Sequence, residues 1–357
     1  MKLIHCSDIH LDSPLEANLS SRQARERNAE LLGTFSRLIS YAREEGVTAV
    51  LIAGDLFDGT RVRSATAQLV LDLMAQAPEV DFLYLRGNHD ETGGLPAALT
   101  LPDNLKLFGE NWSYFSYDNV TVAGIQPETG RFSDFYGELA LEKDRLNIVM
   151  LHGQESTLPG EELVCLPLLK NRHIRYLALG HIHSFRQAPL DHDSTWCYCG
   201  CLEGRGFDEC GEKGFVLLET AGDRITSRFV PFAQRQLHEI PVDITDLETL
   251  GELRNALAAA SQGISREDLV KFVLTGTYTL DTQKDLAHLT AFLKDRFYFA
   301  KIKDESTLRI DKASYEHDAS LKGEFIRTVM ASELSREDKE RIIGAGLLAL
   351  SGEEVEL

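Results

Sequence analysis

Five short segments carry side chains suited to metal and phosphate chemistry: Asp8-Ile9-His10, Gly54-Asp55, Gly87-Asn88-His89-Asp90, His152-Gly153 and Gly180-His181-Ile182-His183. Two carboxylates (Asp8, Asp55), four imidazoles (His10, His152, His181, His183) and the Asn88 amide oxygen form a hard-to-borderline donor set. Such a set suits a pair of divalent ions, Mn²⁺ first and Fe²⁺ or Zn²⁺ next. Purely oxygen-ligated Ca²⁺ or Mg²⁺ is less natural with so many imidazoles. Each piece alone is weak, since an isolated Asp-x-His is usually surface decoration. Position makes them speak together. Each follows an apolar run that reads as a strand, and open α/β sheets bind ligands at the carboxyl ends of their strands. Gly54, Gly87, Gly153 and Gly180 beside these groups permit tight turns and close backbone approach.

The elements that must position them follow from the hydrophobic pattern. Leu3 to Cys6, Val47 to Ala53, Phe82 to Leu85, Ile148 to Leu151 and Tyr176 to Leu179 read as strands. Helical periods cover 22–45, ending at Gly46, and 64–76, ending before Pro78. Strand–helix–strand alternation predicts an α/β sheet flanked by helices. From about 195 to 232 the chain is strand-rich, with Gly-laden turns around 200–214. After Pro231 a second α/β rhythm begins: strand Glu239 to Ile244, helix 246–260, strand Leu269 to Tyr278, helix 282–296 and strand 298–303. Two amphipathic helices, about 320–332 and 336–350, close the chain, with Ser335 and Asp338 as a cap for the last. Its apolar face, with Ile342, Ile343, Leu347 and Leu350, reads either as packing on its own domain or as a docking site for a partner. The resulting expectation is a catalytic domain over 1–232, an α/β domain over 235–310 and a helical segment over 318–357.

Composition narrows the class. The 357 residues, at about 150 per domain, suggest two or three domains. An apolar fraction of 43% and a charged fraction of 26% exclude collagen, disordered tails and membrane bundles. No apolar run approaches the roughly 20 residues of a bilayer span. The opening residues turn polar too early for a signal peptide, so the expected location is the cytoplasm. A net charge of −19 means that any grip on nucleic acid needs metal ions, a local basic patch or a cationic partner. Cys197, Cys199, Cys201 and Cys210 invite a zinc reading, but their spacing fits zinc poorly, and small buried side chains are the expectation.

Taken together, the five segments resemble the motifs of calcineurin-like metallophosphoesterases, over about residues 1–232. The wording around them is similar to the DNA repair exonuclease branch, that of SbcD and the YhaO-type nuclease subunits. The similarity lies in His5-Cys-Ser-Asp8-Ile-His10-Leu-Asp-Ser-Pro14, Gly54-Asp-Leu-Phe-Asp-Gly59 and Leu202-Glu-Gly-Arg-Gly-Phe-Asp-Glu-Cys-Gly-Glu-Lys-Gly214. The second α/β unit resembles the capping domain of these nucleases. The resemblance implies an αββα sandwich of mixed sheets flanked by helices, a smaller α/β capping domain and a helical tail. It implies that Asp8, His10, Asp55 and His183 hold one metal, with Asp55 bridging, and that Asp55, Asn88, His152 and His181 hold the other. His89 is then unliganded and acts on the substrate. Some relatives carry a His three residues after the bridging Asp; here that position is Asp58. The implied partners are DNA, an SMC-like or AAA-type ATPase of the SbcC kind docking on the tail helices, and a second copy of the chain through the early helices.

The chemistry expected of such a site is hydrolysis. Two ions about 3.5–4 Å apart bring the pKa of a shared water toward 7 and clamp phosphate oxygens, so that the resulting hydroxide can attack in line. His89 is the natural proton donor to the leaving alkoxide. Asp90 would orient its ring or bond the turn backbone, and Asp12 would hydrogen-bond a ligand imidazole or cap a turn. Arg61, Arg86 and Arg205 are the side chains expected to meet backbone phosphates, each with a solvated surface arginine as the plain alternative. The leading function is a metal-dependent DNA exonuclease, with some endonuclease action, in DNA repair. A metallophosphatase or phosphodiesterase acting on nucleotides, small molecules or phosphoproteins is the alternative. A catalytically silent scaffold comes third, because every expected ligand is present.

Overall fold

The computed structural model describes residues 1–15, 19–58, 62–90, 95, 99–128, 130–279, 282–309 and 317–350. It divides into two compact units, Met1–Gln236 and Leu237–Leu357. The first contains β1 (Lys2–Cys6), α1 (Ser21–Glu44), β2 (Ala49–Ala53), α2 (Ser64–Ala75), β3 (Asp81–Leu85), β4 (Leu105–Leu107), β5 (Ser113–Tyr117), β6 (Val120–Gly124) and a 3-10 helix (Phe132–Glu138). Then follow β7 (Leu146–His152), β8 (Gln154–Ser156), β9 (Leu163–Cys165), α3 (Leu166–Leu169), β10 (Ile174–Gly180), β11 (Arg186–Pro189), β12 (Thr195–Tyr198), β13 (Gly214–Ala221) and β14 (Arg224–Pro231).

Two six-stranded sheets stack face to face. One runs β14-β13-β1-β2-β3-β4, the other β11-β12-β10-β7-β6-β5. The period-2 alternation of a strand explains why both must be covered twice. In β2, all five residues are buried. Val50 and Ile52 pack toward α1 and α2, with Leu31, Phe35 and Leu71, while Ala49, Leu51 and Ala53 pack toward Ile148 and Met150 of β7. On the outer face of the second sheet, Val149, Leu151 and Leu177 meet the 3-10 helix through Phe132 and Tyr136. The result is the αββα sandwich with mixed sheets: β1 to β4 run parallel, as do β6, β7, β10 and β12, with antiparallel strands at the margins. Parallel strands buried on both faces read as continuous apolar runs, which is why β2 and β7 are so plain in the sequence.

α1 begins at a capping box in which Ser20 and Gln23 satisfy each other's backbone N–H groups. Its buried stripe, Ala24, Arg27, Leu31, Thr34, Phe35, Leu38 and Ala42, keeps helical spacing.

The second unit holds β15 (Leu237–Asp243), α4 (Leu250–Ala260), β16 (Leu269–Thr275), β17 (Thr277–Tyr278), α5 (Leu286–Lys294), β18 (Phe299–Asp304), β19 (Thr307–Leu308), α6 (Leu321–Ala331) and α7 (Arg336–Leu350). Its parallel sheet, β15-β16-β18, carries α4 and α5 over Val270, Phe272 and Leu274. The strand expected over 269–278 is broken at Gly276, whose φ of +82° suits glycine and whose missing Cβ leaves room for Asp243 and Thr245 oxygens. α6 and α7 pack on each other through Ile326, Val329, Ile343 and Leu347. Ser335 caps α7 by accepting the Asp338 N–H at 3.1 Å. Among the described residues, no helix is long and apolar enough to cross a membrane.

Candidate metal centre

The parallel strands of both sheets deliver their carboxyl ends to one crevice. Asp8 and His10 follow β1, Asp55 follows β2, Asn88 and His89 follow β3, His152 ends β7, and His181 and His183 follow β10. The loops are laced together by backbone bonds: Asp8 N–H to Gly54 O at 3.0 Å, His10 N–H to Asp55 O at 2.9 Å and Gly153 N–H to Gly180 O at 3.3 Å. Asp8, His10, Asp55 and His181 all adopt positive φ (51°, 49°, 51° and 99°) although none is glycine. Such conformations cost on the order of 1–3 kcal/mol each and cluster at functional sites. A Cβ on Gly54 would run into the His152 ring, and one on Gly87 into the Asp55 carboxylate, so both glycines let ligand groups approach the backbone.

The donors face one another in a way that asks for cations. His152 donates from Nδ1 to Ala53 O at 2.9 Å, so that in the neutral ring a metal requires, Nε2 carries the lone pair. That Nε2 lies 3.0 Å from Asn88 Oδ1 and 3.3 Å from Asp55 Oδ2, an arrangement of acceptors around a common point. Across Asp55, His10 Nε2 lies 3.2 Å from His183 Nε2 and 3.8 Å from Asp55 Oδ2, and His183 Nε2 lies 3.6 Å from Asp8 Oδ1. Asp8, His10 and His183 thus form one metal-competent group, and Asp8, Asp55 and His152 another. The His181 ring stands edge-on to His152 with centroids 5.4 Å apart. His10, His183, Asp55, Asn88 and His152 therefore all bring an atom into the cluster. Asp8 does so while also accepting the His181 N–H at 3.0 Å.

Ionisation agrees with that chemistry. Burial opposes charge on His152, yet the bond to Asp55 and the Asp55 and Asp8 charges hold its imidazolium up to about 9. A proton there does what a cation would do. Burial would raise Asp55, but the hydrogen bond and charge of His152 and the charge of His10 bring it well below the usual carboxylate range. Burial pushes Asp8 up, opposed by His152 and His183. Burial, with the Arg205 charge second, lowers His10 to about 3, keeping it the neutral imidazole that a ligand must be.

His89 stands apart from the donors. Its side chain is 45% exposed, and its Nδ1 lies 2.9 Å from Asp58 Oδ1. Asp58 is thus the partner of the His89 ring. Asp90 is not: its buried carboxylate accepts the N–H groups of Leu56 (3.1 Å), Phe57 (2.9 Å) and Gly87 (3.1 Å). The catalytic role expected of Asp90 is replaced by that of a tie between two loops, the second of its two sequence readings. Asp12 likewise bonds no imagined imidazole; it accepts from Arg63 Nε at 3.0 Å and Thr66 Oγ1 at 2.9 Å, pinning the start of α2. His10, Asp58 and His89 form a third group with metal-ligand spacing, but Arg205 already supplies its cation at 3.1 Å from Asp58.

The three arginines part ways. Arg61 lies outside the described residues. Arg86 is exposed at a pocket shared with Asn88, Gln126, Phe132, His152 and His181. Arg205, expected to meet phosphates, is turned inward with its side chain 15% exposed and paired to Asp58 and Glu209. The inward turn has a simple cause: buried Glu209 and half-buried Asp58 outcompete solvent for the guanidinium. Glu209, which the motif reading passed over, accepts from His183 Nδ1 at 2.7 Å. A carboxylate behind a ligand imidazole fixes its tautomer. Burial would raise Glu209, but His183 and Arg205 hold it far down. Among the described residues the cysteines join no metal-competent group, and none of the six is in a disulfide.

The chain is 26% identical over 298 residues to the metallophosphoesterase YhaO of Bacillus subtilis strain 168, covering 78% of this chain and 72% of that protein. It is 24% identical over 371 residues to the DNA double-strand break repair protein Mre11 of Saccharolobus solfataricus, covering 96% and 93%. Among solved structures, a dimetal phosphatase from Danio rerio superposes with a TM-score of 0.41 at 13% identity, covering 64% of this chain and 95% of that one. Residues 1–185 match the calcineurin-like phosphoesterase family model, just over half of the chain, and the protein belongs to that family.

Proposed function

We propose that this phosphoesterase is a metal-dependent DNA nuclease, an exonuclease with some endonuclease action, working in DNA repair in the cytoplasm. The observation that carries the choice of substrate is the reach of the similarity. It covers 96% of this chain and 93% of a DNA double-strand break repair protein, and so extends well beyond the 1–185 of the phosphoesterase family match. In this reading Asp8, His10, Asp55 and His183 hold one divalent ion, and Asp55, Asn88, His152 and His181 the other, with Mn²⁺ the expected metal. Two such ions act as Lewis acids that make water a nucleophile at neutral pH and neutralise phosphate oxygens. Asp55 would be the ligand common to both ions. His89 presents Nε2 to the leaving oxygen and gives it a proton, with Asp58, 2.9 Å from Nδ1, orienting the ring. Arg86, at the rim beside Asn88, receives a backbone phosphate.

The proposed organisation is a capping domain over 235–310 and a docking segment over 318–357. An SbcC-like or AAA-type ATPase would bind on α6 and α7, where Leu321, Leu334 and Leu350 are exposed. A homodimer would form through the early helices. The acidity of the chain, −19, is consistent with a partner that supplies much of the DNA grip. The inward pairing of Arg205 favours one rival, a phosphodiesterase or phosphatase on smaller substrates, because it removes a cation from the substrate path. Labelled linear DNA and a small phosphate monoester, each with Mn²⁺ and the purified chain, separate the two. Shortening of DNA with little monoester turnover is the expected result. Monoester turnover with intact DNA would overturn the nuclease reading.

A further inference from the structure

We propose that Arg205 is a positioning residue that orients two functional imidazoles at once, by bracing the carboxylates behind them. The inference rests on the metal-centre reading, which makes His183 a ligand and His89 the acid. One fork of the guanidinium faces Glu209, with Nη2 at 2.9 Å and Nε at 3.3 Å from Oε1, while the Arg205 backbone N–H reaches Oε2 at 2.7 Å. Nη1 lies 3.1 Å from Asp58 Oδ2 and 3.5 Å from Ser13 Oγ, and Ser13 itself donates to Asp58 at 2.7 Å. Glu209 in turn holds His183 Nδ1 at 2.7 Å, and Asp58 holds His89 Nδ1 at 2.9 Å. Arg205 Nη2 is also 3.3 Å from His183 Nδ1. The short contact to Glu209 requires the hydrogen on that nitrogen, which leaves His183 Nε2 free as a donor to metal.

Two features make this a brace and not a surface pairing. The first is chemical: a planar guanidinium can donate along separate edges to two carboxylates, whereas an ammonium is a single point charge. The second is that the backbone beneath it is pinned. Glu203, buried, accepts from Thr34 Oγ1 at 2.7 Å and from the Gln234 N–H at 2.5 Å, and Arg27 donates to Gly204 O at 2.8 Å. Arg205 therefore projects from a fixed loop into a mostly buried place. Removing it takes away the cation the two carboxylates share and leaves Ser13 on Asp58 and the residue-205 N–H on Glu209, so both carboxylates, and the rings they hold, are less firmly oriented.

The test reads the rings directly. In the metal-free full-length protein, at a pH high enough that both rings are neutral, long-range ¹H–¹⁵N correlations should show His183 and His89 as Nδ1–H tautomers. Arg205→Met should mix the tautomers at both rings, and Arg205→Lys should restore at most one. With Mn²⁺ and a small phosphodiester, Arg205→Met should lower kcat about 10–100-fold and leave KM within about twofold. Combined with Asp58→Asn it should lose little more than the worse single variant. The proposal is overturned if only one ring or neither responds in Arg205→Met, or if KM rises with kcat unchanged, which would mark a phosphate contact. If Arg205→Met does not fold, two restored rings in Arg205→Lys overturn it and one supports it. A wild-type chain that binds no Mn²⁺ would sink the metal-centre reading alone, because the tautomers of the metal-free protein decide for or against the brace separately.

Discussion

The strand-end crevice and the α6–α7 pair are held together by different physics. In the crevice, side chains from segments far apart in sequence are aimed by hydrogen bonds: Ala53 O fixes His152, Glu209 fixes His183 and Asp58 fixes His89. In the helix pair, Ile326, Val329, Ile343 and Leu347 make a small apolar seam with Phe325 and Ile342 beside it. Hydrogen bonds are directional, whereas apolar burial sets proximity without direction. The first arrangement therefore specifies chemistry atom by atom. The second specifies only that two helices stay together, which leaves Leu321 and Leu334 on the outside.

Substitutions can break that contrast in graded steps. Asp55→Asn removes the charge that the two proposed ion positions would have in common. It should empty both metal positions and lower phosphodiester turnover by several kcal/mol of transition-state stabilisation, roughly 10⁴-fold or more. Elemental analysis beside an activity assay checks it. His89→Ala should retain both ions and lose roughly 10²–10⁴-fold in kcat, so metal content separates it from Asp55→Asn. Glu209→Gln keeps the shape but weakens the hold on His183, and Mn²⁺ affinity measured by calorimetry should fall roughly 10–100-fold. Leu347→Ala acts on the other region. It should cost the helix seam about 2–5 kcal/mol, read as faster hydrogen exchange over 321–350, with turnover of a small diester unchanged. If Leu347→Ala also silenced the metal centre, the two regions would not be energetically separate.

Much of this was legible before any coordinates. Buried parallel strands such as β2 and β7 are continuous apolar runs, and the ligand-type residues stand directly after them, so both the sheet and the crevice follow from position. The helices 321–331 and 336–350 were legible from periodicity and the Ser335 cap. Other parts were not. Residues 105–124 form β4, β5 and β6, yet β5 alternates exposed and half-buried Ser, Tyr and Phe with no long apolar run to mark it. Glu209 lies 26 residues beyond His183 in a loop without periodicity, and only the fold brings it behind the ring. Arg205 was visible as a cation, but a sequence does not show which way a guanidinium faces when a buried and a half-buried carboxylate compete with solvent. Asp90 illustrates the same limit, since adjacency to His89 in the chain does not make it that ring's partner.

The central claim is that scattered donors hold a pair of divalent ions, and anomalous scattering from a manganese-soaked crystal tests it most directly. The account predicts two peaks, one among Asp8, His10, Asp55 and His183 and one among Asp55, Asn88, His152 and His181. No peak in the crevice, or a single peak lying away from Asp55, would contradict it.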